Sequence, residues 1–310
     1  MVPAPQMSSA ADRVPGALRS LMSGLIDYAG MFPPAKLPLA EAVKKFLSYA
    51  RGPHAWMLGK FVLPVEQLEE LRMVLTQEPE ARGFAVPLSV LLGAEPQRAA
   101  GLIHKEKLLI SQAPQPFSID AVEFRAGSPA MIAEMSSALP LGLPVFCEFP
   151  YTEDITEWLT AIGRAGWFAK LRTGGVTPES FPSSMAIAGF LVQCRAQGIA
   201  WKATAGLHHP VRSEHPLTYE PQSTCGVMHG FLNVFLGAAF LRHGISKEQL
   251  VEILDDTSAA DFRFSGAFAH WCKLFLEESD VLETRRHFAI SFGSCSFEEP
   301  VRDLQTLGLL

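Results

Sequence analysis

The chain is short of charge and of cysteine, and both shortages narrow what it does. Only 19% of its 310 residues are charged, and 26 basic against 32 acidic side chains leave a formal net charge of -6. That balance gives no general attraction to nucleic acid or to an anionic membrane surface, so neither is expected as a partner. The five cysteines, at 147, 194, 225, 272 and 295, form no close pair and no metal-type spacing, which fits a reducing compartment. The opening Met-Val-Pro-Ala-Pro-Gln-Met-Ser-Ser lacks the basic and apolar regions of a signal peptide, and no apolar run is long enough to span a bilayer. A cytoplasmic location is the expectation. Also missing are a Gly-x-Gly-x-x-Gly after an early strand and a Gly-Lys-Ser/Thr loop. Their absence disfavours a dinucleotide or P-loop fold and leaves no cofactor implied.

Hydrophobic residues, by contrast, are plentiful at 48%, enough for a large core. After a lead over residues 1–14 expected to be disordered, the pattern repeats one theme. Apolar runs at 25–28, 56–63, 85–92, 120–124 and 144–149 read as strands. Helical stretches follow them near 39–49, 65–75, 96–103, 129–139 and 155–164. Two further runs end in Lys170 and Lys202, and the stretch 288–292 supplies an eighth. Repeated strand-helix units of this number predict a single α/β domain, a closed (β/α)8 TIM barrel over residues 1–310.

Residues 166–206 carry the strongest signal. Each end is a short apolar run that places a lysine near its close and stops on glycine, as buried parallel strands do before a loop. Thr177-Pro178-Glu179 reads as the start of the intervening helix, which is expected to stop at Gly198. Period-two alternation puts Lys170 and Arg172 on one strand face, and Lys202 and Thr204 on the equivalent face of the next. Crowded cations destabilise one another's charged forms, so one amine is expected to be neutral and nucleophilic. Most strand-end lysines simply reach solvent, yet two at matching places beside an arginine fit a shared site better.

Acids fall at strand ends as well. Asp27, Glu123 and Glu148 each sit within an apolar run, where an unpaired carboxylate is costly. At the carboxyl rim of a barrel, ion pairing and a functional role share one geometry. Lys60, on the second strand, is a further candidate for the same rim. The regular spacing then breaks, and residues 207–285 read as a largely helical insertion between strands seven and eight, packed over the barrel mouth. Its expected helices cover 228–243, 246–254 and 264–278. His208 and His209 open it, and either one with Glu123 and Glu148 would make a metal site for a hydrolase or isomerase. Near the end, Gly293, Ser294 and Ser296 precede a helix with a Ser296/Glu299 capping box. Exposed N–H groups and hydroxyls at a helix N-terminus would bind an anion there.

In order and spacing, these segments resemble the deoxyribose-phosphate aldolases, class I lyases on a TIM barrel. Leu25-Ile26-Asp27-Tyr28 resembles that family's opening Ile-Asp-His-Thr segment. Lys170-Leu171-Arg172-Thr173-Gly174-Gly175 resembles its Lys-Thr-Ser-Thr-Gly motif, and Thr177-Pro178-Glu179-Ser180 continues the match. Lys202-Ala203-Thr204-Ala205-Gly206 resembles the second-lysine motif Lys-Pro-Ala-Gly-Gly, and Phe292-Gly293-Ser294-Cys295-Ser296 the phosphate loop Phe-Gly-Ala-Ser-Ser. The resemblance implies Lys170 as the imine-forming nucleophile, Lys202 as the group that lowers its pKa, and Glu123 as the proton relay. Asp27, Arg172, Glu148, Thr204, Gly293, Ser294 and Ser296 would bind the substrate, a small and anionic carbonyl compound. Arg172, Leu207 and the histidines depart from the family pattern, as does glutamate at 123. A barrel that only binds a ligand would keep the anion loop without the chemistry. The sequence leaves the oligomeric state, including a homo-oligomer, open.

Overall fold

The protein is described by a computed structural model covering residues 14–150 and 154–310, so the expected lead lies almost wholly outside the described residues. Helix α1 (Gly16–Met22) precedes β1 (Ile26–Tyr28). Next come α2 (Leu39–Arg51) and β2 (Leu58–Pro64), α3 (Leu68–Gln77) and β3 (Val86–Leu91), then α4 (Pro96–Gln112) and β4 (Phe117–Arg125). They are followed by α5 (Pro129–Ala138) and β5 (Val145–Glu148), α6 (Thr156–Ala165) and β6 (Phe168–Arg172), then α7 (Ser184–Gln197) and β7 (Trp201–Thr204). A hairpin of β8 (Ser213–Pro216) and β9 (Cys225–Met228) leads into α8 (Phe231–Arg242) and α9 (Lys247–Asp255). The strands β10 (Phe262–Ser265), β11 (Phe268–Trp271) and β12 (Leu274–Glu277) precede α10 (Glu278–His287), β13 (Ala289–Ser294) and α11 (Glu298–Thr306).

Strands β1 to β7 and β13 close an eight-stranded barrel in which every pairing is parallel, the architecture expected of repeated strand-helix units. The outer ring is built as the apolar periodicity dictates. Helix α2 turns Leu39, Ala42, Val43, Phe46 and Leu47 inward. Helix α8 is buried nearly all round; its Phe231 stacks on Phe292 of β13, and its Phe235 meets the same ring at a tilt. At the amino end of the barrel the buried Arg285 donates to the carbonyls of Leu21, Ser23 and Ala289, tying α1 to the start of β13. No helix among the described residues is long and apolar enough to cross a membrane.

Three expected helices are different in the structure. Thr177 does not cap α7: Pro178–Ser180 forms one 3-10 turn, and Ser183 caps the helix by accepting from the Ala186 N–H at 3.2 Å. Pro182 causes the delay, since it has no N–H and holds Phe181 extended. The helix does stop at Gly198. The helix expected from 228 begins at Phe231, because Cys225–Met228 pairs with β8. The stretch 264–278 is a three-stranded antiparallel sheet instead of a helix. Its burial alternates at period two, with Ala269, Trp271 and Leu276 inside, and turns at Gly266 and Cys272 take positive φ. The 207–285 segment is therefore mixed α and β. Its hairpin lies at the mouth, whereas β10 and β11 pack against α1 and β12 against α10.

Candidate functional site

Strand register assembles the candidate site. Lys170 of β6 pairs with Lys202 of β7 on one side and with Glu148 of β5 on the other. Side chains from a parallel barrel's alternate positions point inward, so residues remote in sequence meet along the axis. Asp27 arrives from β1 and Glu123 from β4.

The result is a chain of alternating charges. Lys202 Nζ lies 2.6 Å from Asp27 Oδ2 and 2.6 Å from Glu123 Oε1. The other Glu123 oxygen is 2.9 Å from Lys170 Nζ, which also lies 3.2 Å from Glu148 Oε2. Arg172 Nε donates to Glu148 Oε1 at 2.8 Å and ends the chain. Three carboxylates and three cations thus neutralise one another inside a site where all but Arg172 are buried. Hydroxyls complete the carboxylate shells: Ser291 donates to Asp27 at 2.7 Å and Ser89 to Glu123 at 2.6 Å. Lys60 contributes through its backbone N–H, which donates to Asp27 Oδ1 at 2.7 Å.

Burial alone would raise the pKa of every acid here and lower that of Lys202. The contacts reverse both tendencies. Lys170 and Lys202 hold Glu123 well below the carboxylate range, Lys202 and Lys60 do the same for Asp27, and Lys170 and Arg172 for Glu148. Asp27 and Glu123 push Lys202 above its ordinary value, despite its burial. Of the two amines, Lys202 is accordingly held as the cation, because it touches two carboxylates at 2.6 Å. Lys202 also sits 5.3 Å from the centre of the Phe146 ring, another contact that favours the cation.

A cleft opens at the carboxyl ends of β1, β6, β7 and β13, lined by Ala29, Gly175, Gly206, His208, Tyr219 and Cys295 among others. Thr204, the last residue of β7, is paired with Gly293, and its carbonyl accepts from the Thr173 N–H at 2.9 Å. The Gly293-to-Ser296 loop stands beside it, with both hydroxyls already used: Ser294 accepts from the Ser296 N–H and Ser296 from the Glu299 N–H. The capping box is only half formed, because the Glu299 carboxylate turns to His208 Nδ1 at 2.7 Å. Burial would lower the His208 pKa, but its hydrogen bonds to Cys295 and Glu299 push it up to about 10. His209 binds Asp303 at 2.6 Å and stacks on His215, ring centres 3.4 Å apart.

These partnerships undo the metal set read from sequence. His208 and His209 are committed to α11, while Glu123 and Glu148 are held by lysines, so the four do not form a ligand group. Among the described residues, the trio placed to share an ion is Asp256, Asp261 and Cys272, by the three-stranded sheet. Arg172 is likewise engaged by Glu148, through Nε and Nη2. Ser89, Ser291, Tyr219 and Cys295 entered the site without being named as candidates. The first two had a signal, a lone hydroxyl within an apolar strand. No family model, curated protein or solved structure matches the chain.

Proposed function

We propose that the barrel is a Schiff-base lyase of the aldolase type, acting on a small carbonyl compound, with Lys170 as nucleophile. The observation that carries this reading is the pair of lysines in register on neighbouring strands, sharing the two oxygens of Glu123. Their inequality assigns the roles. Lys202 makes two 2.6 Å contacts and is 1% exposed, whereas Lys170 makes looser contacts of 2.9 and 3.2 Å at 6% exposure. Lys202 is the fixed charge, and Lys170 is the amine that can leave its partners.

As a carbonyl group approaches, Lys170 gives up a proton to a water on Glu123, and the free amine bonds to the carbonyl carbon. The same proton returns to the carbinolamine hydroxyl, which leaves as water and gives an iminium ion. That cation draws the electron pair of the adjacent carbon-carbon bond as it breaks, or supports its formation in reverse. Glu148 and Arg172 would hold Lys170 in line, and Asp27 and Ser291 would hold Lys202. A different reading, a barrel that only binds a ligand, is favoured by the full pairing of every charge at rest.

Reductive trapping separates the two. With a small aldehyde and borohydride, Lys170 should gain a stable adduct in the mapped peptide, and Lys170→Ala should abolish it. Labelling spread over surface lysines, with Lys170 no faster than the rest, would leave the ligand-binding reading standing.

A further inference from the structure

The cleft carries chemistry that the lysine array does not use. Cys295 directly follows β13, and its Sγ lies 3.9 Å from Nε2 of His208. The opposite ring nitrogen is the one held by Glu299 at 2.7 Å. The phenol of Tyr219 approaches the same sulfur at 3.7 Å. Thiol, imidazole and carboxylate in line form the relay that turns a weak nucleophile into a strong one. The ring accepts the thiol proton, and the carboxylate orients the ring and stabilises its charge.

The surroundings are consistent with that role. The titratable groups facing the sulfur are His208 and Tyr219 from the loops after β7, Tyr28 from β1 and Glu299 from α11. Glu299 opposes a thiolate but is drawn to His208, and α11 begins three residues beyond Cys295, so its positive end favours the anion. Cys295 is 6% exposed yet lines the cleft, which shelters it from bulk water while leaving it within reach of a small molecule.

We infer that Cys295, His208 and Glu299 form a second nucleophilic site, opening on the cleft at the ends of the lysine strands, that captures small aldehydes as hemithioacetals. The inference rests on the proposed function only for the class of electrophile; the relay itself stands on its own geometry. With the proton shared by Sγ and Nε2 resting on the His208 ring, Sγ bonds to the carbonyl carbon, and the carbonyl π pair moves onto oxygen. His208 then returns the proton to that oxygen, so the addition is complete and reversible without a further reactant.

Alkylation by iodoacetamide, mapped peptide by peptide, tests it. At pH 6.5 Cys295 should react at least about tenfold faster than the exposed Cys225, and its rate should change little between pH 6 and 8. Cys225 should slow by about tenfold per unit below its own pKa. His208→Gln and Glu299→Gln should each bring Cys295 toward the Cys225 profile, with thermal melts confirming folding. Millimolar propanal should protect Cys295 and spare Cys225, in the wild type and equally in Lys170→Ala. Equal rates and parallel pH profiles for the two cysteines would overturn the relay. Protection that disappears in Lys170→Ala would overturn aldehyde capture at sulfur, since the aldehyde would then act only through the lysine. Should the His208 variant not fold, the wild-type pH profile and the propanal arm decide.

Discussion

Glu123 is the residue on which the charge chain depends, because each of its oxygens holds a different lysine. Removing its charge leaves a net positive charge among buried groups, and breaking a buried pair on one side costs about 3–5 kcal/mol. Glu123→Gln should therefore lose roughly that much in urea unfolding. Adding Lys170→Met to it should recover part of the loss, since the remaining charges then pair as Asp27 with Lys202 and Glu148 with Arg172. A loss under about 1 kcal/mol for the single change would mean that the ions are effectively solvated. The ionisable members of this chain were legible in sequence as charges interrupting apolar runs. Their partners were not. Which lysine touches Asp27 depends on barrel closure, which brings residue 27 beside residue 202, and no local pattern encodes that pairing. The role of Lys60 was hidden for another reason: besides its charge, it acts through a backbone N–H, which a reading of side chains does not show.

At the scale of elements, β2 is positioned by an absence of bulk. A methyl group at Gly59 would lie 2.4 Å from Asp27 Oδ1, and 3.1 and 3.2 Å from the carbonyls of Gly24 and Ile26. Glycine is required here for close approach, not for its dihedrals, and it lets the Lys60 N–H reach Asp27. Gly59→Ala should cost about 1–3 kcal/mol as overpacking, read by chemical denaturation. An unchanged midpoint would show that β1 and β2 yield freely at this point. The barrel strands and most outer helices followed from the apolar period. The helix expected at 264–278 failed because its aromatic residues suit both periods, and two sharp turns, not periodicity, decide for a sheet. The delayed start of α7 shows the same limit: Thr177-Pro178-Glu179 has the composition of a cap, but Pro182 further on decides where the helix begins.

For the molecule as a whole, the titrating groups set a stability profile. The carboxyl pKa values of Asp27, Glu123 and Glu148 are depressed by folding, so their contribution is present above the unfolded value of about 4 and is lost as pH falls below it. His229 is lowered, chiefly by burial, and likewise contributes only above its unfolded value of about 6.5. His208 has the opposite sign. Its raised pKa gives stability that is full below about 6.5 and declines as pH rises towards about 10. Unfolding free energy measured across pH should consequently peak near 6.5, and His208→Asn should flatten the limb between 6.5 and 10. A wild-type profile that rises steadily through that limb would contradict the His208 pairing.

The charge chain also divides along the order of synthesis. Asp27, Glu123 and Glu148 all lie in the first half of the polypeptide, and Lys170, Arg172 and Lys202 all lie in the second. A ribosome therefore releases five strands carrying the three carboxylates of the charge chain before it has made Lys170, Arg172 or Lys202. The early half cannot close on itself without burying like charges together. It must wait, open and hydrated, for β6 and β7, which makes completion of the chain the event that licenses the barrel to shut.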